Sequence, residues 1–597
     1  MYSSLIEKFR LLSARFRSEW ARVKENPKPT PLQAAQFWSL FTQQDKWVFL
    51  AFMAIAIISG VFFTGEFFES YIVNAPDVGG SYVEGVLDEP RFVNPILVTN
   101  ETEQSISNLV FLGLFQYSDL GVLTPALAES YTLSEDGKRY DIKLRKDVQW
   151  HDGKPVTADD VAFTVALIQN PDFRSPLRPN WQGVTVEKID DHALALTLRQ
   201  PYAPFLQNLT VGILPQHIWA SIRPENSFQA EFNLKPIGSG PYQFEKLTRS
   251  TNGSILTYTL VKSETSPADG APFIEEVAFQ VFSSEESMLS AYQRGRIQGM
   301  SVVSAENASK ISVAGSSVYT MQLPQVFGLF FNQSRNKVVA DPNVREALEL
   351  AIDRTELIKQ VFNGSATAIS TPIPPGSLGF DPKIAVPGIN LEKAGQLLDK
   401  SGWKLNPDSG LREKTIPKTR TAPASTEILT LNITTSLWPD LVESAEFIKR
   451  SWEALGIEVT IQTAQIAELE YQNIRTRNYD ILLFGEGFGH DPDPFAFWHS
   501  SQIKHPGLNL SLYVNKKVDT LLESARRAKT PEEAAQKYKE FQALVVKDRP
   551  AIFLYTPHYF FVMRNAVQGA SPVNLAKPSE RFYTADHWYI DTDWKFK

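Results

Sequence analysis

The longest apolar run in the chain is residues 47–63, WVFLAFMAIAIISGVFF, seventeen positions without a charge. As a helix it measures about 25 Å, at the lower end of what crosses a bilayer. Phe67, Phe68 and Tyr71 extend the apolar content beyond it. Arg15, Arg17, Arg22, Lys24, Lys28 and Lys46 precede the run, and Glu66, Glu69 and Asp77 follow it. That charge step predicts a single transmembrane helix with the N-terminus cytoplasmic and the main body extracytoplasmic. A cleaved signal peptide is the nearest rival, and Val73-Asn74-Ala75 has the small-residue look of a cleavage site. The 46 preceding residues are too many for an ordinary charged leader, so an uncleaved anchor is expected. Before it, Phe9, Leu12, Phe16, Trp20 and Val23 recur at helical spacing with Arg and Lys between them. Two readings stand for this stretch, a helix lying on the membrane surface and a solvated tail.

From about residue 79 the pattern changes to short strands alternating with helices, and no internal repeat is visible. Residues 140–148 (YDIKLRKDV) alternate as a strand, and His151-Asp152-Gly153-Lys154 is turn chemistry. Thr157 is placed to cap the next helix, with Asp160 in capping-box position. Val161, Phe163, Val165, Leu167 and Ile168 supply its apolar content. After Asp341-Pro342 a helical stripe runs through Val344, Ala347, Leu348, Ala351 and Ile352. Leu357, Ile358, Val361 and Phe362 continue it to Gly364, the expected C-cap.

At 597 residues the chain has room for about four structural units. It is 43% hydrophobic and 21% charged, ordinary globular usage that excludes a wholly disordered chain. There is no cysteine, so disulfides, thiol nucleophiles and lipidation at an N-terminal cysteine are excluded. Residues 1–46 carry eight Lys/Arg against four Asp/Glu, which leaves the rest of the chain at −12 out of a total of −8. A body that acidic argues against nucleic acid as a partner.

Six segments, in order, resemble the extracellular solute-binding proteins of ABC importers, in the large oligopeptide/dipeptide/nickel class. They are LTPALAESYTLSEDGKRYDIKLRKDVQWHDGKPVTADDVAFTV (123–165), IGSGPYQF (237–244), AYQRGRIQG (291–299), FNQSRNKVVADPNVREALELAIDRTELIKQVFNGSA (331–366), LEKAGQLLDKSGW (391–403) and residues 518–555. The resemblance implies an α/β, two-lobed periplasmic-binding-protein-like fold with an extra subdomain in lobe 1, preceded here by the transmembrane helix. Charge and hydropathy give 1–46 as a cytoplasmic basic amphipathic segment and 47–68 as the anchor, outside the resemblance, which implies 79–325 as lobe 1 with its subdomain at about 120–235, 326–552 as lobe 2, and 553–597 as the return to lobe 1. The expected crossings between lobes are 327–332 and 553–559. The implied partners are an oligopeptide or other small solute, ABC permease subunits and the membrane. Other solutes such as an oligosaccharide, and a sensing or scaffold role, stay open beside import.

The resemblance places the solute between the lobes, near the loop of YDILLFGEGFGHDPDPFAFW (479–498). Candidate ligand-binding residues are Glu486, Phe488, His490, Asp491 and Trp498 there, Trp438 at the start of a helix, and Asn94, Phe115 and Tyr117 on the opposite wall. For each the competing reading is packing, and Asp491-Pro492-Asp493-Pro494 also reads as a turn that caps the next helix. Peptide-binding members carry an acid in this loop for the peptide's α-ammonium. Aligned on Asp-Pro-Asp, Phe488 stands at that position, and Glu486 lies two residues earlier. Single-histidine nickel binding in the wider family keeps His490 as a candidate, though no metal motif or cofactor signature is present. An anchored hydrolase using Asp491 and Asp493 is the enzymatic alternative. It lacks a nucleophile elbow, a zinc motif and a nucleotide loop, so no enzyme is expected.

Overall fold

The segment AIFLYTPHYFFVMR is apolar at almost every position, the signature of a strand covered on both faces. It forms the fourteen-residue strand Ala551–Arg564, buried apart from Pro557, His558 and Arg564. The computed structural model describes residues 42–118, 120–202, 204–265, 271–302, 307, 311, 315–416, 425–570 and 575–596, with the backbone course alone for 61–74, 302, 594 and 596. The expected amphipathic segment before residue 42 lies outside these. The chain divides into two compact units, residues 1–75 with 592–597, and residues 76–591.

In the smaller unit the helix Gln43–Tyr71 forms over the apolar run. Among the described residues, however, no helix is long and apolar enough to cross a membrane. Its described side chains stop at Gly60, and residues 47–60 measure only about 21 Å as a helix. The transmembrane part of the expected fold is corrected to that extent. The strand Ile72–Pro76 follows the helix directly and pairs with Thr592–Phe596.

The larger unit is built on a twelve-stranded sheet with Ala551–Arg564 near its middle. Along one part of its length this strand pairs antiparallel with Gln325–Phe331, from Phe330 opposite Ala551 to Phe327 opposite Tyr555. Further on it pairs with Ser316–Gln322 and Gly299–Val302. The partner changes between Tyr555 and His558, where Pro557 has no N–H to offer a ladder. Leu323 packs in one core and Val326 in another. The chain therefore changes lobe near Pro324, ahead of the expected 327–332 crossing.

Beyond Gln325–Phe331 come Ile481–Gly487, Thr430–Ser436 and Glu458–Ala464. The last three are mutually parallel. Parallel neighbours need a crossover, and the helix Pro439–Glu453 supplies it by burying Leu441, Ala445, Ile448 and Trp452 on the sheet. On the other side of the long strand, Ser81–Val86 lies between Gly299–Val302 and Glu276–Val281, parallel to both. A separate four-stranded antiparallel sheet is made by Ala128–Leu133, Arg139–Leu144, Ala193–Thr197 and Thr185–Asp190.

The helical stripe after Asp341 is two helices, Pro342–Leu350 and Arg354–Phe362. Asp353 ends the first register by capping the second, its Oδ1 accepting from Glu356 N at 3.0 Å. The left-handed turn at the end begins at Asn363 (φ 49°), with Gly364 (φ 83°) after it. The capping pair Thr157/Asp160 forms as expected. Asp160 Oδ2 accepts from Thr157 N at 2.9 Å, and Oδ1 accepts from Gln216 N at 2.8 Å.

His151 ties two of the diagnostic segments together. Its Nδ1 accepts from Gly238 N at 3.1 Å, which fixes the proton on Nε2, 3.0 Å from Gly240 O. A Cβ on Gly238 would lie 1.9 Å from Val110 O, and one on Gly240 would lie 2.5 Å from Leu109 O. Glycine is required at both because the backbone passes against the end of the helix Glu101–Val110. Burial pushes the His151 imidazole down to about 4, despite the opposing bond to Gly240 and the charge of Asp152.

A depressed imidazole means that the unfolded chain binds the extra proton first. The contribution of His151 is therefore complete above pH ~6.5 and falls by about 3 kcal/mol as the pH drops to 4. Urea unfolding of the wild type and His151→Gln should show the wild-type advantage shrinking across that window. A constant difference would remove the buried neutral imidazole from the account.

Candidate functional site

In open parallel sheets, ligands bind beyond the carboxyl ends of the strands. Here those ends are Ser436, Ala464 and Gly487. Leu437 N donates to Ala464 O at 3.1 Å, holding two of them together. Trp438 follows and is 56% exposed, with Leu437, Ile466 and Tyr471 also exposed. Large apolar side chains left open at a strand end are an available binding surface. The next helix begins at Pro439, and Asp440 stands in its first turn. Burial, then Glu443 and Glu285, push the Asp440 carboxyl up to about 6. Glu285 opens a helix of the first lobe, so acids of both lobes meet here.

The third strand end carries the loop singled out from the sequence. Side chains alternate along Ile481–Gly487, and Leu482, Phe484 and Glu486 share a face. That face packs in the core formed by Val326, Phe330, Leu482, Phe488 and Trp498. Glu486 is consequently 1% exposed, and neither of its oxygens has a hydrogen bond. The Trp498 indole is the neighbour that favours its anion, but Trp498 Nε1 also lacks a hydrogen bond. Burial raises the Glu486 carboxyl well above the usual carboxylate range. Phe488 is buried too, with its ring 5.0 Å from Phe497 and its N–H on Pro324 O at 2.8 Å.

After Phe488 the loop reaches the first lobe. His490 lies against the Tyr117 ring at 3.9 Å, and its Nε2 is 2.8 Å from Glu580 Oε2. Burial, with the Asp491 and Glu580 charges, raises the Tyr117 phenol, so it stays neutral. Asp491 is exposed and its side chain has no hydrogen bond among the described residues. Asp493 takes Arg526 in a forked pair, Nε donating to Oδ1 at 3.1 Å and Nη2 to Oδ2 at 2.6 Å. It also accepts from Phe495 N at 3.3 Å and from the Tyr202 hydroxyl at 3.0 Å. Asp493 is thus held in packing at the turn, while the N-cap of the helix Phe495–Trp498 is Pro494, without a side-chain cap bond.

Of the nine candidates, Tyr117, His490 and Asp491 come together and Trp438 is exposed at a neighbouring strand end. The other five are in packing. Asn94 is fully buried, its Oδ1 accepting from Ile96 N at 3.1 Å and its Nδ2 donating to Asn233 Oδ1 at 3.3 Å. Phe115 is in the first-lobe core against Tyr131, and Trp498 is in the second-lobe core with Glu486 and Phe488. Among the described residues no group of three or more His, Asp or Glu is placed to hold a metal ion. Sequence reasoning missed Tyr202, Gln207, Arg526 and Glu580, which no local motif marks. It also missed Asp440, although the Trp-Pro-Asp helix start stood beside Trp438.

Two α/β lobes sharing strands, with exposed side chains at the strand ends between them, define a two-lobed solute-binding protein. The profile of the bacterial extracellular solute-binding proteins, family 5, matches residues 122–505, and the chain belongs to that family. It is similar to the oligopeptide-binding protein AppA of Bacillus subtilis, 27% identical over 523 residues, 86% of this chain and 92% of that protein. The dipeptide-binding protein of Escherichia coli is 25% identical over 80% of this chain and 90% of its own length. Among solved structures, AppA of B. subtilis in complex with a nonapeptide superposes with a TM-score of 0.71 at 26% identity, covering 86% of this chain and 99% of that one. NikZ of Campylobacter jejuni in complex with Ni(L-His) gives 0.70 at 26% identity, over 85% and 99%.

A carboxyl group raised by burial is protonated in the fold when the unfolded chain has already ionised. Glu486 therefore costs stability increasingly as the pH rises above ~4.5. Glu486→Gln keeps the shape without the ionisable group. Its stability relative to wild type should grow between pH 4.5 and 7.5 in urea unfolding, and parallel curves would contradict a buried neutral acid.

Proposed function

We propose that the chain is a membrane-anchored extracytoplasmic binding protein that captures a peptide-like solute between its lobes and delivers it to an ABC permease. The observation that carries this reading is the likeness across both lobes to relatives named for oligopeptide and dipeptide binding. Asp491 supports it, as the loop carboxylate left open for a ligand ammonium, whereas Phe488 and Glu486 are withdrawn into the core. Trp438 supplies an exposed aromatic face for an apolar side chain of the solute. Capture needs no chemistry: a solute that touches both lobes favours the state in which they are together. Anchoring is supported by the helix Gln43–Tyr71, on which Trp47, Val48, Leu50, Met53, Ile55, Ile57 and Ile58 are all exposed. Apolar residues exposed around a whole helix suit lipid better than water.

Native mass spectrometry of the detergent-purified full chain should find retained masses in the range of short peptides. A homogeneous retained sugar would end the peptide reading. Asp491→Asn should weaken the retained peptide by about 10–100-fold, the value of a charge-assisted bond to an ammonium. For the anchor, alkaline carbonate washing should leave the protein in the membrane pellet. Protease added from outside should digest residues beyond 76 and spare the N-terminal segment. Quantitative release into the wash would refute anchoring.

A further inference from the structure

Between Ile481–Gly487 and the short helix Phe495–Trp498, the second lobe puts out the loop 488–494. It touches three segments of the first lobe that are far apart in sequence. His490 meets Tyr117 and Glu580. Gln207 Nε2 donates to Asp491 O at 3.2 Å, and a Cβ on Gly489 would come within 2.4 Å of Gln207 Oε1. The Tyr202 hydroxyl donates to Asp493.

These contacts differ in kind from those of the crossing strands. The shared strand Ala551–Arg564 can stay paired within each lobe when the lobes rotate, because its partners change near Pro557. The loop contacts lie off that strand, so rotation must break them. They are hydrogen bonds and one ring contact, which water can replace on opening. The loop also keeps its form when released, since Asp493 is held from its own side by Arg526 and Phe488 by Pro324. A preformed loop whose outward contacts are polar is suited to reversible closing.

We infer that the loop 488–494 is a latch that favours the closed lobes without solute, and that Tyr202, Gln207 and Glu580 are positioning residues for capture. They raise solute affinity by populating the competent state in advance rather than by touching the solute. The inference rests on the two-lobed binding reading, but not on the identity of the solute.

The test uses the full chain stripped of solute by unfolding and refolding. The protein has no cysteine, so Glu225→Cys and Asp408→Cys, both exposed and one in each lobe, carry a dye pair for single-molecule energy transfer. Tyr202→Phe with Gln207→Ala should raise the ratio of open to closed molecules about thirtyfold, at the net value of two ordinary hydrogen bonds. Glu580→Gln should raise it separately and in the same direction. A residue that merely supported the fold would shift the melting temperature and leave the distance distribution alone. An unchanged distribution in both variants overturns the latch. Should the double variant fail to fold, Glu580→Gln alone decides between the two outcomes. If the distribution shifts while mass spectrometry finds no peptide, the latch stands and the peptide reading falls.

Discussion

One strand holds the binding body together as a two-part object. Ala551–Arg564 is hydrogen-bonded into both lobes, buried over nearly its whole length, and changes partner around Pro557. Everything on the second lobe, including the three parallel strand ends, is placed by what that strand pairs with. A break in its apolar run would not loosen one lobe alone, since Ile552 and Leu554 pack in one core and Phe561 and Met563 in another. The sharing keeps the lobes in register while leaving them separate cores. That is the condition for rotation without unfolding.

The electrostatics of the interface follow from this division. Charges between lobes must be satisfied when the lobes meet and tolerable when they part. The Asp493–Arg526 pair meets the requirement by lying within one lobe and offering only a spare lone pair outward. Glu486 is the opposite case, an acid sealed in a core with neither oxygen hydrogen-bonded among the described residues. Its cost at neutral pH is borne by the packing of Phe488 and Trp498 around it. Asp440 lies between these extremes, half-neutralised at mildly acid pH beside Glu285 of the other lobe.

Local chemistry was legible in the sequence and long-range meeting was not. Thr157 with Asp160 and the turn at His151 could be read directly, because each needs only neighbours within a few residues. Asp353, with Glu356 three positions on, carries the same capping signal and divides the stripe into two helices. The burial of Glu486 is also present in its alternation with Leu482 and Phe484 along Ile481–Gly487. By contrast, Tyr202 and Glu580 reach the loop from 291 and 90 residues away. No periodicity within their own segments points there. Asn94 and Phe115, expected on the wall opposite the loop, are instead buried, because no local pattern separates an outward from an inward face there.

The two ends of the binding body lie side by side, with Asp77 N donating to Asp591 O at 3.0 Å. A body that begins and ends at one point can be lifted out as a closed circuit. Its order of segments can then be permuted, with a short linker joining 591 to 77 and new termini opened at an exposed turn such as the one at Gly410. Proximity of the ends thus makes the module portable.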